Sequence, residues 1–364
     1  MKKRIFLSLF ILLAIWDSQS WAKAEEVVLV ANSHAGTISV IDANKMQAKC
    51  QWNVIPDIKE RKAEWSLLHR LVNWYADFTF ADDMALSKDY ETLYVSRGSV
   101  SDIAAFDIAT KKLLWRVPIE GFRSDHIIIS NDGKRLYASA VSHSEVEVID
   151  LESHAVIGKI PTGSQPHGLN LSPDGERLYI GEKVGGAITV ADTRSLRVIK
   201  RIPMGAGVRP FLIMPGEKEL YVQLSNYLGF VVYNLEDGKV TRTVALPQNE
   251  KSDSYHGEYP KQAAHHGLVL STDAQHLCIA GTAANYVALV ANPNMSTEAI
   301  IPVGEQPNWA INSLDGKYCY VSSRGSNTVS VISYEDKTEV KRIPVGNYPQ
   351  RMIAVQLPSA CDGL

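Results

Sequence analysis

The sequence of 364 residues lacks the short motifs that mark several classes of enzyme. It contains no nucleophile elbow, no glycine-rich phosphate loop before a helix, no Cys-x-x-Cys-His haem attachment and no paired Cys-x-x-Cys spacing for zinc. These absences weaken those classes but leave lyase, lactonase and metal-dependent chemistry open, because scattered side chains can carry such reactions. An excess of positive charge is also missing. The sequence has 37 Lys and Arg against 40 Asp and Glu, so it predicts no broad basic face for nucleic acid.

A long apolar run that could span a membrane is missing as well. The N-terminal run at 5–16 follows basic residues and precedes small residues that end at Ala22 and Ala24, a series typical of a secretory signal. A retained membrane anchor is the alternative, and the flanking residues fit it less well. Removal of a signal peptide at 1–22 leaves about 340 residues with a net charge of about −5. We therefore expect a periplasmic or secreted protein with no stable membrane span after cleavage.

What the chain has in quantity is a repeat. Residues 163–205 contain four short runs of alternating apolar and polar residues, separated by turn sequences such as Ser-Pro-Asp-Gly, which predicts a four-stranded antiparallel sheet. Such a sheet cannot bury its faces alone, so copies must stack on one another. Counting back five residues from the start of each such turn gives seven register residues: Asp82, Asp125, His167, Arg209, His266, Asn308 and Gln350. Their intervals are 43, 42, 42, 57, 42 and 42 residues, which indicates one insertion in the fourth interval.

The two ends of the chain complement one another. The first copy of the repeat lacks its opening strand, and residues 348–357 match an opening strand with nothing after it. The sequence therefore predicts an all-β fold, a seven-bladed β-propeller over 25–357 with four-stranded antiparallel blades. In this fold the C-terminal strand closes the first blade, and a tail follows at 358–364.

Two segments break the repeat, and both precede an innermost strand. Residues 57–80 carry Trp65, Leu68 and Leu71 at helical spacing, which predicts an amphipathic helical insertion. Residues 248–264 predict a polar loop insertion. Both are expected to rise from the face of the disc where the register residues begin their strands. Long loops on a rigid scaffold are where binding is usually found.

The register residues and their neighbours predict a binding site at the mouth of a central channel. The ligand-binding candidates are Asp82, Asp83, Asp125, His126, His167, Arg209, His265, His266, Asn308, Trp309, Gln350 and Arg351. A water-filled channel also needs polar walls, and this alternative stays open. The mixture of charges and residue types beneath two long loops favours a site for a small molecule or a protein segment. The sequence assigns no catalytic residue.

Three of these histidines also suit metal binding. His167 and His266, with either His126 or His265 as the third ligand, could converge across a narrow channel as imidazole ligands, and the set His126, His167 and His266 is the one we expect. Single solvated histidines are the alternative, and no short motif tests the geometry because the ligands come from different blades. The carboxylates that could act as general bases or orient these rings are Asp82, Asp83 and Asp125. The cofactor stays unknown, with a metal ion or a haem as the possibilities.

All four cysteines follow the predicted signal, so they lie in a compartment where disulfides persist. Cys50 in the outer strand of the first blade and Cys361 just beyond the closing strand predict a disulfide that locks the ring, worth about 4 to 5 kcal/mol. Cys278 and Cys319 occupy the same repeat position in adjacent blades. We expect their side chains to point the same way round the ring and to be core residues rather than partners.

Several strands resemble the YVTN β-propeller repeat, which is named for a Tyr-Val-Thr-Asn strand. The matching segments are Leu93-Tyr-Val-Ser96, Leu178-Tyr-Ile-Gly181 and Tyr320-Val-Ser-Ser323. The resemblance covers essentially all of the chain after the signal and implies the fold and export. Members of this broad group include surface-layer proteins, periplasmic proteins, haem-carrying propellers and subunits of quinone-dependent amine dehydrogenases; lactonases and streptogramin lyases are related propellers. No catalytic motif of these families carries over residue by residue, since kinship of fold does not fix a site.

Three functions follow as hypotheses. The leading one is an exported propeller that binds a small ligand, cofactor or partner segment at the channel mouth. The second is a metal- or haem-assisted oxidoreductase or lyase that uses His126, His167 and His266 with Asp82 or Asp125. The third is a non-catalytic protein-interaction scaffold. Nucleic acid could bind only locally, through arginines beside Trp309, and the neighbouring aspartates argue against it.

Overall fold

The computed structural model describes residues 24–254, 263–358 and 360–361. In these residues, 28 strands form seven antiparallel sheets of four strands each. The innermost strands contact one another in succession around a closed circle, so the sheets are the blades of a propeller. The predicted seven-bladed fold is confirmed.

Each blade runs from an innermost to an outermost strand. The first four blades are β28 (Pro349–Leu357), β1 (Glu25–Asn32), β2 (Thr37–Asp42), β3 (Gln47–Asn53); β4 (Asp83–Leu86), β5 (Thr92–Arg97), β6 (Asp102–Asp107), β7 (Leu113–Pro118); β8 (Ser124–Ile129), β9 (Arg135–Ala140), β10 (Glu145–Asp150), β11 (Ala155–Pro161); and β12 (Pro166–Leu171), β13 (Arg177–Glu182), β14 (Ala187–Asp192), β15 (Val198–Pro203). The other three are β16 (Val208–Ile213), β17 (Glu219–Leu224), β18 (Gly229–Asn234), β19 (Lys239–Ala245); β20 (Leu268–Leu270), β21 (His276–Gly281), β22 (Tyr286–Ala291), β23 (Thr297–Pro302); and β24 (Pro307–Asn312), β25 (Tyr318–Ser323), β26 (Thr328–Ser333), β27 (Thr338–Pro344).

The middle strands of each blade form the core, because neighbouring blades cover both of their faces. In the fourth blade, Leu178, Tyr179 and Ile180 of β13 are consecutive and all buried. The outermost strand β15 buries Ile202 and exposes most of its other side chains. Consecutive apolar residues in the middle strands therefore indicate packing on two sides rather than a function.

The Ser-Pro-Asp-Gly turns fix the register between the first two strands of a blade. Asp174 Oδ1 accepts hydrogen bonds from Ser172 Oγ and, at 2.9 Å, from the amide of Glu176. Gly175 has φ of +74°, a conformation that a side chain would strain. These turns place the register residues at equal heights in successive blades.

The C-terminal strand closes the ring as predicted. β28 pairs antiparallel with β1, with Glu25 opposite Leu357 and Val30 opposite Met352. Cys50 and Cys361 form the predicted disulfide across this closure. The closure thus joins the two ends of the chain by a ladder and by a covalent bond.

The prediction that Cys278 and Cys319 are unpaired core residues is wrong. They are buried and form a disulfide, with their Cα atoms 6.6 Å apart. Cys278 lies in β21 and Cys319 in β25, the second strands of adjacent blades. Equal repeat positions in adjacent blades lie opposite one another across the interface, and this separation is within the range that a disulfide bridges.

The insertion at 57–80 contains two helices rather than one, α1 (Ile58–Glu64) and α2 (Leu67–Ala76). Trp65 between them is extended, and Ser66 caps α2 by accepting a hydrogen bond from the amide of His69. Buried Arg97 binds Asp57 at the start of the insertion and Asp102 in β6, which anchors the insertion to the second blade. Arg97 is therefore a structural cation and does not form part of an exposed basic face.

The remaining predicted segments are described only in part. A short helix α3 (Glu250–Ser254) begins the second insertion, and a 3₁₀ turn lies at Gly98–Val100. The predicted signal peptide at 1–22 and residues 255–262 of the second insertion lie outside the described residues. Within the described part of the chain, no helix has the length and apolar character needed to cross a membrane.

Candidate metal centre on the propeller axis

The predicted site residues meet where the innermost strands approach the axis of the ring. His126 lies in β8 of the third blade, His167 in β12 of the fourth, and His266 just before β20 of the sixth. Arg351 of the first blade contacts His126, although 225 residues separate them in sequence. Side chains from blades so far apart around the ring can meet only near its axis.

Three imidazole rings converge there. His167 Nε2 lies 3.2 Å from His126 Nε2 and 3.3 Å from His266 Nε2. One ligand nitrogen from each ring lies within 4.8 Å of the other two. The three side chains are buried, with exposed fractions of 2, 4 and 6% for His126, His167 and His266. Histidines with so little exposed surface do not fit the alternative that they only line a water-filled channel.

These distances match those between ligands of one small ion. Imidazole nitrogens lie about 2.0 to 2.1 Å from a bound zinc ion, so two ligands of a tetrahedral ion are about 3.3 to 3.4 Å apart. The distances of 3.2 and 3.3 Å from His167 to its two neighbours agree with this value. The arrangement can therefore hold one ion with three nitrogen ligands and leave a fourth position.

The two histidines on one side of the cluster are held in the neutral form that binds metals. Burial lowers the pKa of His167 well below its usual value, and the neighbouring His126 and His266 lower it further. Burial also lowers the pKa of His266, with Arg209 and Arg324 adding to the shift. Among the described residues, the buried Nδ1 atoms of His167 and His266 have no hydrogen-bond partner. A neutral imidazole with a free Nε2 is the ligand form.

Asp125 supplies a carboxylate beside the converging nitrogens. Its Oδ1 lies 3.8 Å from His126 Nε2, and its Oδ2 lies 4.0 Å from His167 Nε2. The side chain is 19% exposed, so it lies at the boundary between the cluster and solvent. A carboxylate in this place can approach a bound ion as a fourth ligand or accept a proton from a water on the ion.

Asp83 contacts His126 at Nδ1, the ring nitrogen that does not point at the other two histidines. Its Oδ2 lies 3.1 Å from His126 Nδ1 and accepts a hydrogen bond from the amide of Ile127 at 3.0 Å. Arg351 Nη2 forms an ion pair with the same oxygen at 3.1 Å. Burial raises the pKa of Asp83, but Arg351 and the bond to His126 outweigh it and keep the pKa below its usual value. An ionised carboxylate behind a ligating imidazole fixes the ring and raises its basicity.

Arg351 also contacts the Nδ1 atom of His126. Its Nε lies 3.1 Å from that nitrogen, and its guanidinium lies 3.4 Å from the ring centre of Trp309. A guanidinium can only donate, so this contact requires an unprotonated Nδ1. When Nε2 binds an ion, Nδ1 carries the proton and Asp83 is the acceptor within reach. His126 Nδ1 therefore lies between a donor, Arg351, and an acceptor, Asp83.

Five cationic side chains belong to this region, since four of them act on the pKa of Lys183 or of His266 and Lys183 is the fifth. They are Arg123, Lys183, Arg209, Arg324 and Arg351. Lys183 is half-buried and lies close enough to His167 to affect its pKa. Burial, followed by the charge of Arg209, lowers the pKa of Lys183 to about 8. Among the described residues, carboxylates nearby include those of Asp82, Asp83 and Asp125.

The structure places the other sequence-predicted residues around this centre in different roles. Asp82 is buried, accepts hydrogen bonds from Ser33 and Thr79, and pairs with Arg123 at 3.3 Å, so it joins loops rather than contacting a histidine. His265 turns away from the cluster, with its Nδ1 3.2 Å from the carbonyl oxygen of Gly229.

The remaining members of the predicted set line the ring. Arg209 donates through Nε to Ser225 Oγ at 2.9 Å. Asn308 is buried and Gln350 is half-buried. The ring of Trp309 stacks against the guanidinium group of Arg351.

The set of ligand-binding candidates omitted Arg123, and Lys183 was expected only in a loop on the same face of the disc. Arg123 lies just before β8 and two residues before Asp125, so its closeness in sequence to a register residue is the signal that could have identified it. Lys183 follows β13 directly, and its burial depends on the neighbouring blades, which the sequence does not show.

A haem does not fit the three histidines as a ligand set. A porphyrin between two axial imidazoles separates them by its own thickness and needs a slot as wide as the macrocycle. His167 Nε2 instead lies 3.2 and 3.3 Å from its two neighbours, and all three rings point at one small volume. The donor set is that of a single ion.

No protein-family model matches the sequence, and no curated protein is significantly similar to it. Solved structures share its fold. Hydrazine synthase from Kuenenia stuttgartiensis is 18% identical, with a TM-score of 0.64, over 77% of this chain and 96% of that chain. A Bacteroides fragilis protein proposed as a 6-phosphogluconolactonase is 15% identical, with a TM-score of 0.68, over 91% of this chain and 98% of that chain.

The dihydro-heme d1 dehydrogenase NirN, solved in complex with DHE, is also similar. It is 11% identical, with a TM-score of 0.60, and the match covers 87% of this chain and 63% of NirN. Identities this low show the propeller fold alone. The fold and the site together define a seven-bladed propeller with three converging histidines on its axis.

Proposed function

We propose that this protein is an exported propeller of the YVTN-repeat type that binds one divalent transition-metal ion through His126, His167 and His266. Held by these three residues, an ion would keep a fourth position for a small ligand from the channel. The observation that carries the proposal is the convergence of three buried Nε2 atoms, with His167 Nε2 lying 3.2 and 3.3 Å from the other two. Two disulfides support export, since such bonds persist in oxidising compartments.

The donor set favours zinc or copper. Three neutral imidazoles suit Zn²⁺ and Cu²⁺, and a site of three histidines with an open fourth position is the composition of catalytic zinc sites. An ion bound in this way supplies Lewis-acid chemistry or a water of lowered pKa. Asp125 lies where it can accept a proton from that water, and Asp83 keeps the His126 ring oriented.

Isothermal titration of the metal-free protein tests the proposal. We expect Zn²⁺ to bind at one ion per chain with a dissociation constant below about 1 μM, since structural and catalytic zinc sites bind at least this tightly. His167→Ala and His266→Ala should each weaken binding by more than about 100-fold, because they remove a ligand rather than a supporting residue. Circular dichroism should show that both variants keep the fold.

His143→Ala is the matched control, since His143 is exposed and lies outside the cluster. It should bind Zn²⁺ as the unaltered protein does. Equal affinity in the His167→Ala and His143→Ala variants, or no zinc binding by the unaltered protein, would contradict the proposal.

A further inference from the structure

We infer that the exposed apolar face of helix α2 is a contact surface for a second copy of this chain. This face, which we call the α2 stripe, consists of Leu67, Leu68, Leu71, Trp74 and Tyr75. The inference goes beyond the proposed metal site and does not depend on it.

Helix α2 lies on the propeller with its polar face inward. Asn73 is buried and donates through Nδ2 to the carbonyl oxygen of Phe122 at 3.4 Å. His69 lies one turn earlier on the same face, and its Nε2 is 2.7 Å from the carbonyl oxygen of Ser99. A helix on the surface of a globular protein normally turns its apolar side to the core. Helix α2 does the reverse, so its polar contacts fix the α2 stripe in an outward position.

The α2 stripe is one continuous surface. Among the large hydrophobic side chains of the described residues, the three largest exposed fractions are those of Leu67 and Trp74, at 74%, and Tyr75, at 70%. At 3.6 residues per turn, the five side chains of the α2 stripe project within an arc of about 120° centred on Leu71. Contiguous apolar surfaces of this kind mark interaction sites, whereas single exposed residues do not.

The size of the α2 stripe suits pairing between two chains. Aromatic side chains present about 150 to 250 Å² each and leucines less, so the exposed parts of the five side chains amount to on the order of 500 Å². Two copies therefore bury about 1,000 Å², which is where specific interfaces begin. This area fits a weak dimer that forms with rising concentration.

The α2 stripe is also complementary to itself. Leu67 and Leu68 lie at the start of α2, and Trp74 and Tyr75 lie near its end. A two-fold axis at Leu71 sets two copies of α2 antiparallel, so the aromatic rings of each chain meet the leucines of the other. Antiparallel pairing also brings opposite ends of the two helix dipoles together.

The charges of α2 do not suit the surface of a lipid bilayer. Helices that lie on membranes carry several Lys and Arg residues on their polar face. Helix α2 contains one arginine, Arg70, and no lysine, and its polar face is occupied by the contacts of His69 and Asn73 with the propeller. An apolar stripe on a second chain needs no such charges.

Sedimentation velocity of the purified protein at rising concentration measures the association. We expect a reversible equilibrium of monomer and dimer with a dissociation constant on the order of 10 to 100 μM, since interfaces of about 1,000 Å² bind weakly. Leu71→Glu should weaken the dimer by more than about 100-fold, because the two-fold axis brings two carboxylates together in an apolar contact. Circular dichroism should show that this variant keeps the fold.

Leu114→Glu is the matched control, since Leu71 is 53% exposed in α2 and Leu114 is 52% exposed in the outermost strand β7. It should dimerise as the unaltered protein does. A protein that stays monomeric at every concentration, or equal dimerisation of the two variants, would overturn the inference. Binding of a monomeric protein to phosphatidylcholine vesicles, abolished by Leu71→Glu, would also overturn it, because the stripe would then bind a lipid surface.

Cross-linking tests the antiparallel arrangement. All four cysteines are already paired in disulfides. The Leu71→Cys variant carries its new thiol beside the two-fold axis, so mild oxidation should join two chains at this position, whereas Leu114→Cys chains should stay separate. A dimer in which Leu71→Cys forms no such bond would overturn the antiparallel pairing.

Discussion

Replacing Asp83 with asparagine isolates the support that this carboxylate gives to a metal ligand. Three nitrogen atoms lie 3.0 to 3.1 Å from Asp83 Oδ2. They are His126 Nδ1, the amide nitrogen of Ile127 and Arg351 Nη2. Asp83 Oδ1 accepts from the amide of Met84 at 2.8 Å. Asparagine keeps the shape but offers a single acceptor oxygen. The side-chain NH2 group of the asparagine must therefore face either the backbone N–H of Met84 or the three donors around the position of Oδ2.

The size of the effect follows from these contacts. Hydrogen bonds to a charged acceptor contribute about 1.5 to 3 kcal/mol, against about 0.5 to 1.5 kcal/mol for neutral pairs. Loss of the charge behind His126 should therefore weaken metal binding by about 1.4 to 2.8 kcal/mol, which is the 10- to 100-fold typical of residues that orient a ligating histidine. The loss should appear in the free energy of metal binding, in addition to any loss of stability of the metal-free protein.

Competition with a chelator measures the zinc affinity of Asp83→Asn, and urea unfolding of the metal-free form measures its stability. Asp82→Asn is the matched control, because Asp82 is adjacent and equally buried but its oxygens bind Ser33, Thr79 and Arg123. Its zinc affinity should change by less than about threefold. Unchanged zinc affinity in Asp83→Asn, or an equal loss in both variants, would refute the role assigned to Asp83.

Three further predictions concern stability. Replacing Cys278 and Cys319 together with alanine should lower the free energy of unfolding by about 3 to 4 kcal/mol, since it opens a closed loop of some 40 residues; a thermal midpoint unchanged under non-reducing conditions would contradict this. Burial lowers the pKa of His265 to about 4, so its unfolded form binds the proton first and stability is lost as pH falls from 6.5 toward 4. Between pH 7 and pH 5 the His265→Asn variant should therefore lose about 2 kcal/mol less of its free energy of unfolding than the unaltered protein. Urea unfolding in the presence of a chelator measures this difference, and the same pH profile in both proteins would exclude the role of His265. Arg97→Met removes the two hydrogen bonds that Arg97 donates to buried Asp102, with Arg61 remaining 3.9 Å away, and should lower the free energy of unfolding by about 3 to 5 kcal/mol, while the zinc affinity stays unchanged.

The sequence predicts the fold because the signals are local and repeated. Turn sequences recur at intervals of 42 or 43 residues, apart from one interval of 57, and define each blade without knowledge of its neighbours. The missing first strand and the surplus last strand then leave one economical arrangement, and β28 pairs with β1 accordingly. A repeated unit also gives the height of each residue in the disc, which is why the register counts placed His167 and His266 near one axis.

Contacts between blades and the direction of individual side chains could not be obtained in this way. The bond between Cys278 and Cys319 depends on the gap between two sheets, for which the chain carries no local signal. His265 and His266 are neighbours, yet the ring of His265 lies against the carbonyl oxygen of Gly229 and the ring of His266 joins the three converging histidines. The insertion at 57–80 has an apolar pattern, yet Leu68 and Leu71 of α2 are more than half exposed. Such outcomes depend on the surface that each segment meets.

The central claim is that three imidazoles from three different blades hold one ion. Anomalous diffraction at the zinc absorption edge, from crystals of the zinc-loaded protein, tests it most directly. The account predicts one strong peak per chain on the propeller axis, about 2.0 to 2.1 Å from the Nε2 atoms of His126, His167 and His266. A zinc peak only at another place in the protein, or zinc-saturated crystals in which these three nitrogens contact no metal, would contradict it.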